Sequence, residues 1–217
     1  LEKGIERVEK LYWKENLLEA QVRSHRQQRN GTVDLTLNVD PGPVVDLVFE
    51  GMSVPDSVQE NVRETWRVGV FDAQRGEEAV QTLRAWLVKE DYLQPKIEYT
   101  VSSPAEGRKR VVFDVQPGTQ FSNVELVFDG AKGMEPSKLR DLIDDQKLKT
   151  DVYVTPGKVR EMLTLVYQEF GFLDAEVGAP KYELNSQNGT GKVIFPVQEG
   201  PHYRIGAVEF EGNTAID

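Results

Sequence analysis

Few residues in this chain could carry catalytic or metal chemistry, and their spacing does not bring them together. Its two histidines, His25 and His202, stand at opposite ends of the sequence, whereas a zinc site needs three or four converging nitrogen or sulfur ligands. The carboxylate pairs Glu77-Glu78 and Asp144-Asp145 sit in helical patterns where adjacent side chains point apart, and neither has the loop spacing of a calcium site. No Gly-x-Ser-x-Gly element, phosphate-cradling glycine loop or converging Ser/His/Asp set is present. The reading is therefore no enzyme, no metal, no cofactor and no small-molecule substrate. Asn30-Gly-Thr32 and Asn188-Gly-Thr190 match a glycosylation acceptor, but an Asn-Gly pair is equally what a tight hairpin demands.

Charge narrows the partner class. Lys and Arg number 26 against 36 Asp and Glu, a net charge of −10, which opposes nucleic-acid backbones and anionic lipid surfaces and argues against nucleic acid as a partner. No apolar run approaches the roughly 20 residues of a spanning helix. The absence of cysteine removes both a disulfide framework and a thiol nucleophile and is compatible with either redox compartment.

The most informative feature is repetition. Leu47-Val-Phe-Glu-Gly51, Leu126-Val-Phe-Asp-Gly130 and Val208-Glu-Phe-Glu-Gly212 recur about every 80 residues, so one small unit is repeated in tandem. Aligning Leu18, Leu93 and Leu173 places Val8, Leu83 and Leu163, then Leu11, Trp86 and Val166, then Tyr12, Leu87 and Tyr167 in register. These spacings describe one face of an amphipathic helix. Asn16, Asp91 and Gly171 tolerate the left-handed conformation that stops a helix. Trp86 lies on the apolar face, whereas Trp66 is a candidate repeat-to-repeat contact, since aromatic anchors are common in interfaces.

Strands follow each of these helices. Lys96-Ile-Glu-Tyr-Thr-Val101 alternates, and turns at Asn30-Gly31, Glu106-Gly107 and Asn188-Gly189 lead into Val33-Leu35-Leu37-Val39, Val111-Phe113-Val115 and Val193-Phe195-Val197, each expected to bury one face. Pro196 inside the last of these predicts a bulge or shortened pairing. After the first strand, each complete unit has a helix starting near a proline, at Pro55–Trp66 and Pro136–Asp145. The unit is β-α-α-β-β.

Tandem βααββ units of this size, with Gly171-Phe-Leu-x-Ala-x-Val177 after the second helix and Phe210-Glu-Gly-Asn213 closing a first strand, resemble POTRA (polypeptide-transport-associated) domains of BamA- or TamA-type outer-membrane assembly factors. Asp91 and Pro95 depart from the glycine and alanine of that pattern in the middle copy. The resemblance implies an α+β fold in which each repeat has a three-stranded mixed sheet with two helices packed on one face. It divides the chain into the C-terminal part of a repeat at 1–42, complete repeats at 43–118 and 119–200, and the first strand of a further repeat at 201–217. It further implies a periplasmic location, a C-terminal β-barrel in the parent chain, unfolded outer-membrane clients and accessory periplasmic lipoproteins as partners. In such domains the third strand is central, leaving edges that can pair with an extended client. The expected augmenting edge is Lys96, Ile97, Glu98, Tyr99, Thr100 and Val101, with Glu176–Lys181 second, including Val177. The alternative is a purely structural scaffold of a divisome-like or two-partner-secretion protein. A surplus first strand at 203–211 could also complete the sheet of a second molecule.

Overall fold

The alternating strands and periodic helices close on one another in two units, Leu1–Gln120 and Phe121–Asp217, in a computed structural model that describes residues 1–69, 71–209 and 211. The first unit runs α1 (Glu2–Lys14), β1 (Gln21–Arg29), β2 (Thr32–Asp40), β3 (Val44–Glu50), α2 (Asp56–Val68), α3 (Asp72–Lys89), β4 (Lys96–Ala105) and β5 (Arg108–Gln116). The second runs β6 (Asn123–Asp129), α4 (Pro136–Asp145), the short α5 (Asp151–Val154), α6 (Pro156–Glu169), β7 (Glu176–Val177), β8 (Lys181–Asn185) and β9 (Thr190–Gln198). Residues 201–209 form no strand, and Phe210 and 212–217 of the surplus strand lie outside the described residues.

Each complete sheet is mixed. β5 takes β3 in parallel and β4 in antiparallel, so the order is β3-β5-β4; β9 likewise takes β6 in parallel and β7 and β8 in antiparallel. The alternation within β5 gives it one apolar face: Val111, Phe113 and Val115 are fully buried against Leu83 and Leu87 of α3 and Val58, Val62 and Trp66 of α2. Val193, Phe195 and Val197 play the same part with Leu163 and Tyr167 of α6 and Leu139 and Ile143 of α4. Parallel register brings Phe49 onto Phe113 and Phe128 onto Phe195, stacked at 5.5 and 6.0 Å. Asn16, Asp91 and Gly171 have φ of 60°, 64° and 89°, so three different side chains end their helices by one backbone conformation.

Two strand expectations need correction. The face of β2 carrying Val33, Leu35, Leu37 and Val39 is 37 to 48% exposed, although the same positions in β5 and β9 are buried. In the complete units two helices cover that face and a parallel strand occupies the far edge, whereas the β1–β2 hairpin is a two-stranded sheet whose cover reaches only Val22, Ala20 and Leu18 at its base. The second edge, expected as one strand over Glu176–Lys181, is broken into β7 and β8 by Gly178-Ala-Pro180. The break faces Phe195 and Pro196: β8 pairs with β9 up to Ile194 and β7 from Val197. Pro196 has no N–H to give to the ladder, so its effect is shortened pairing on this side, while the parallel pairing to Asp129 continues.

Within the first unit, α1 and the β1–β2 hairpin are joined to the βααββ core by a cluster of charges. The Glu19 carboxylate accepts from Trp66 Nε1 at 3.0 Å and from Lys109 Nζ at 2.7 and 2.9 Å, and it lies 3.2 Å from the Arg75 guanidinium. Asp72 adds contacts to Lys109 at 2.7 Å and to Arg75 at 3.4 Å, while Arg75 Nε donates to the Gly69 carbonyl at 2.9 Å. Glu19, Arg75 and Lys109 side chains are only 11, 6 and 14% exposed, so each ion depends on the others in place of water. Leu18 beside it belongs to the core of the βααββ repeat, and Val45 N donates to the Asn16 carbonyl at 2.8 Å. Replacing Glu19 by alanine leaves the Trp66 N–H unpaired and leaves Arg75 and Lys109 to share the half-exposed Asp72 carboxylate. It is expected to cost about 3–5 kcal/mol in the first unit's unfolding, with the second unit's transition unchanged. An unfolding midpoint of the first unit that does not move would contradict this account of the joint.

Candidate protein-interaction edge

β4 is hydrogen-bonded to β5 alone among the described strands, so its far side offers backbone donors and acceptors along Lys96–Val101. Its side chains alternate. Ile97 is buried and Tyr99 half-buried toward the helices, while Lys96, Glu98 and Thr100 are exposed on the opposite face, and Val101 is exposed as well. Lys96 Nζ lies 3.0 Å from Glu98 Oε1 across the open face, and the hydrogen bond and charge of that carboxylate raise the lysine's pKa. Beyond Ser102 the register shifts, which ends the regular edge.

Between this edge and α3 lies a groove of about 490 Å³ lined by Glu77, Val80 and Gln81 of α3 and by Ile97, Glu98 and Tyr99 of β4. Tyr99 sets its end wall. Its ring lies 6.2 Å from that of Phe113, its hydroxyl donates to the Ala73 carbonyl at 3.3 Å, and it is seated against Gly76, where a Cβ would overlap the ring. A groove with an aliphatic floor beside an unpaired strand can hold an extended segment, with main-chain pairing along β4 and alternate side chains directed into the groove.

The other sequence-derived edge is less open. Glu176 is exposed and Val177 buried in β7, and Lys181, exposed, begins β8. A cavity of about 630 Å³ adjoins this break, lined in part by Arg160, Thr164, Val177, Gly178 and Pro196, and Arg160 Nε donates to the Val177 carbonyl at 3.0 Å. Trp66, fully buried, lies in the core of the first unit and reaches the preceding segment through Glu19. The charged joint and Arg160 were not singled out from sequence. The available signal for Arg160 was its register, since it replaces the apolar Val80 at the equivalent helix position.

The remaining candidates have local explanations. His25 lies exposed in β1, and His202 sits 3.1 Å from the Phe170 carbonyl with its ring against Phe172. Among the described residues no group of His, Cys, Asp and Glu could hold a metal ion, and no helix is long and apolar enough to cross a membrane. Asn188 Oδ1 accepts from the Thr190 amide at 3.2 Å and its hydroxyl at 2.8 Å, which is the work of a turn asparagine.

Comparison with solved structures identifies this arrangement. Residues covering 89% of the chain superpose on 74% of the POTRA3-5 segment of Haemophilus influenzae BamA, with a TM-score of 0.50 and 18% identity. The fold is that of tandem POTRA domains. POTRA1-2 of the periplasmic domain of Omp85 from Anabaena is also similar, at a TM-score of 0.43 and 18% identity over 77% of this chain and 96% of that one. No protein-family model matches the sequence, and no curated protein does. The POTRA fold is thus carried by apolar register and turn geometry with little identity of side chains.

The Tyr99 wall provides a check on the groove. Gly76→Ala gains helix propensity of about 1 kcal/mol but must push the ring off its seat, and overpacking of this kind costs about 1–3 kcal/mol. The expected result is a net loss of stability in the first unit with shifted Tyr99 ring resonances. An alanine variant as stable as the parent and with an unmoved ring would show that the wall is not held by this contact.

Proposed function

We propose that the chain is a periplasmic, client-receiving part of an outer-membrane β-barrel assembly or translocation protein, and that it binds unfolded clients by strand addition at β4. The observation that carries this reading is the open Lys96–Val101 edge with the Glu77–Val80–Gln81 groove beside it, set in a POTRA fold similar to that of a BamA segment. Main-chain pairing accepts many sequences, which suits a receiver of varied β-rich clients, and the groove adds a preference for apolar side chains at alternate positions. Accessory periplasmic lipoproteins are the second partner class, and a β-barrel in the same parent chain is the destination of the clients.

The test is a backbone amide titration of the protein with a peptide of alternating apolar and polar residues from an outer-membrane barrel strand, against its scramble. Shifts concentrated at Lys96–Val101 and weakened at least several-fold with the scramble are expected. A folded protein showing no shifts at millimolar peptide would overturn client binding at β4 and favour a scaffold whose edges serve neighbouring domains.

A further inference from the structure

Each complete repeat has a hollow between its second helix and the neighbouring strand edge, and the two differ in their lining, above all where an arginine stands in place of a valine. Leu83 and Leu163 occupy the same place on α3 and α6, so Val80 and Arg160, three residues earlier, also correspond. Ile97 and Val177 correspond through their shared pairing with Val115 and Val197. In the first unit Val80 lines the groove beside the open edge. In the second, the Arg160 guanidinium stands there and its Nε donates to the carbonyl of Val177 at 3.0 Å.

The register shows which way that carbonyl faces. Gly178 N donates to the Pro196 carbonyl at 2.8 Å, and Val177 is opposite Val197. In an antiparallel ladder such a bond flanks a non-hydrogen-bonded pair, whose own N–H and C=O turn away from the partner strand. The Val177 carbonyl is therefore an outward acceptor of the sheet edge, one that an incoming strand would use. Arg160 fills it. Beyond Val177 the edge is interrupted over Gly178-Ala-Pro180, and Pro180 lacks an N–H, a device that blunts edges against unwanted pairing.

Resting on the strand-addition reading, we propose that Arg160 is a specificity-determining residue: it closes the β7 edge of the second repeat to extended polypeptide segments, so that of these two matching edges it is β4, with Val80 at the same position, that takes them. The partner is an extended peptide with free backbone groups and alternating apolar side chains. One chain then holds a client at one repeat, and the second repeat's β7 edge stays free of competing pairing.

The experiment repeats the barrel-strand peptide titration on the whole chain, on Arg160→Val and on Val80→Arg, with amide dispersion as the check of folding. The parent protein is expected to shift only around Lys96–Val101. Arg160→Val is expected to add peptide-dependent shifts at Glu176 and Val177, and Val80→Arg to weaken binding at β4 by at least ten-fold. A folded Arg160→Val with no new shifts, or a folded Val80→Arg that binds as the parent does, overturns the proposal. If Arg160→Val does not fold, the Val80→Arg result decides. A parent protein that binds nowhere sinks the functional reading instead, and the closing role of Arg160 then stands or falls on whether Arg160→Val gains binding.

Discussion

Each complete repeat depends on the last strand to be made in sequence. β5 and β9 must each accept a parallel neighbour on one side and an antiparallel neighbour on the other while burying an uninterrupted row of apolar side chains beneath two helices. Parallel pairing brings the first strand of the repeat back across the whole βαα segment to meet the last. The unit therefore closes only when its ends meet, and the stacked phenylalanine pairs Phe49–Phe113 and Phe128–Phe195 mark that closure. With the centre so occupied, the remaining strands are edges by construction, and the open backbone of β4 is a consequence of the core.

A second device ties a helix end to a later stretch of chain. The carbonyls of Asn16 and Gly171, both at positive φ, accept the amides of Val45 and Tyr203, each at 2.8 Å. The acid one residue after the aligned leucine is also used at both places. Glu19 takes Lys109 and Trp66, and Asp174 takes the Tyr203 hydroxyl at 2.7 Å. The chemistry differs with burial: Glu19 is sheltered and needs cations, whereas Asp174 is exposed and one phenol suffices. A shared backbone contact thus serves two joints whose side chains have diverged.

The helices, their left-handed stops, the hairpin turns and the alternation of the strands were legible because each rests on local physics with a short period, 3.6 residues or two. Repetition strengthened that reading, since Leu83 and Leu163 or Phe113 and Phe195 report the same environment twice. The interruption opposite Pro196 was visible in outline for the same reason, because a missing N–H is a property of one residue. Its form was not: which neighbour loses its pairing depends on which side of β9 the proline nitrogen faces. The exposed β2 face escaped the pattern altogether, because alternation specifies that a face is apolar and says nothing of what covers it.

The sequence by itself determined the repeating unit, the apolar alternation of its last strand, and the stretch Lys96–Val101 as an alternating strand. Only the tertiary structure decided that Glu19, Asp72, Arg75 and Lys109 meet, since they come from the α1–β1 turn, the start of α3 and β5. It also decided that Arg160 reaches the Val177 carbonyl. Charges carry no periodic signal of their partners. An ion pair or a capped carbonyl is set by which elements pack side by side, and that is fixed by the closing of the core around β5 and β9.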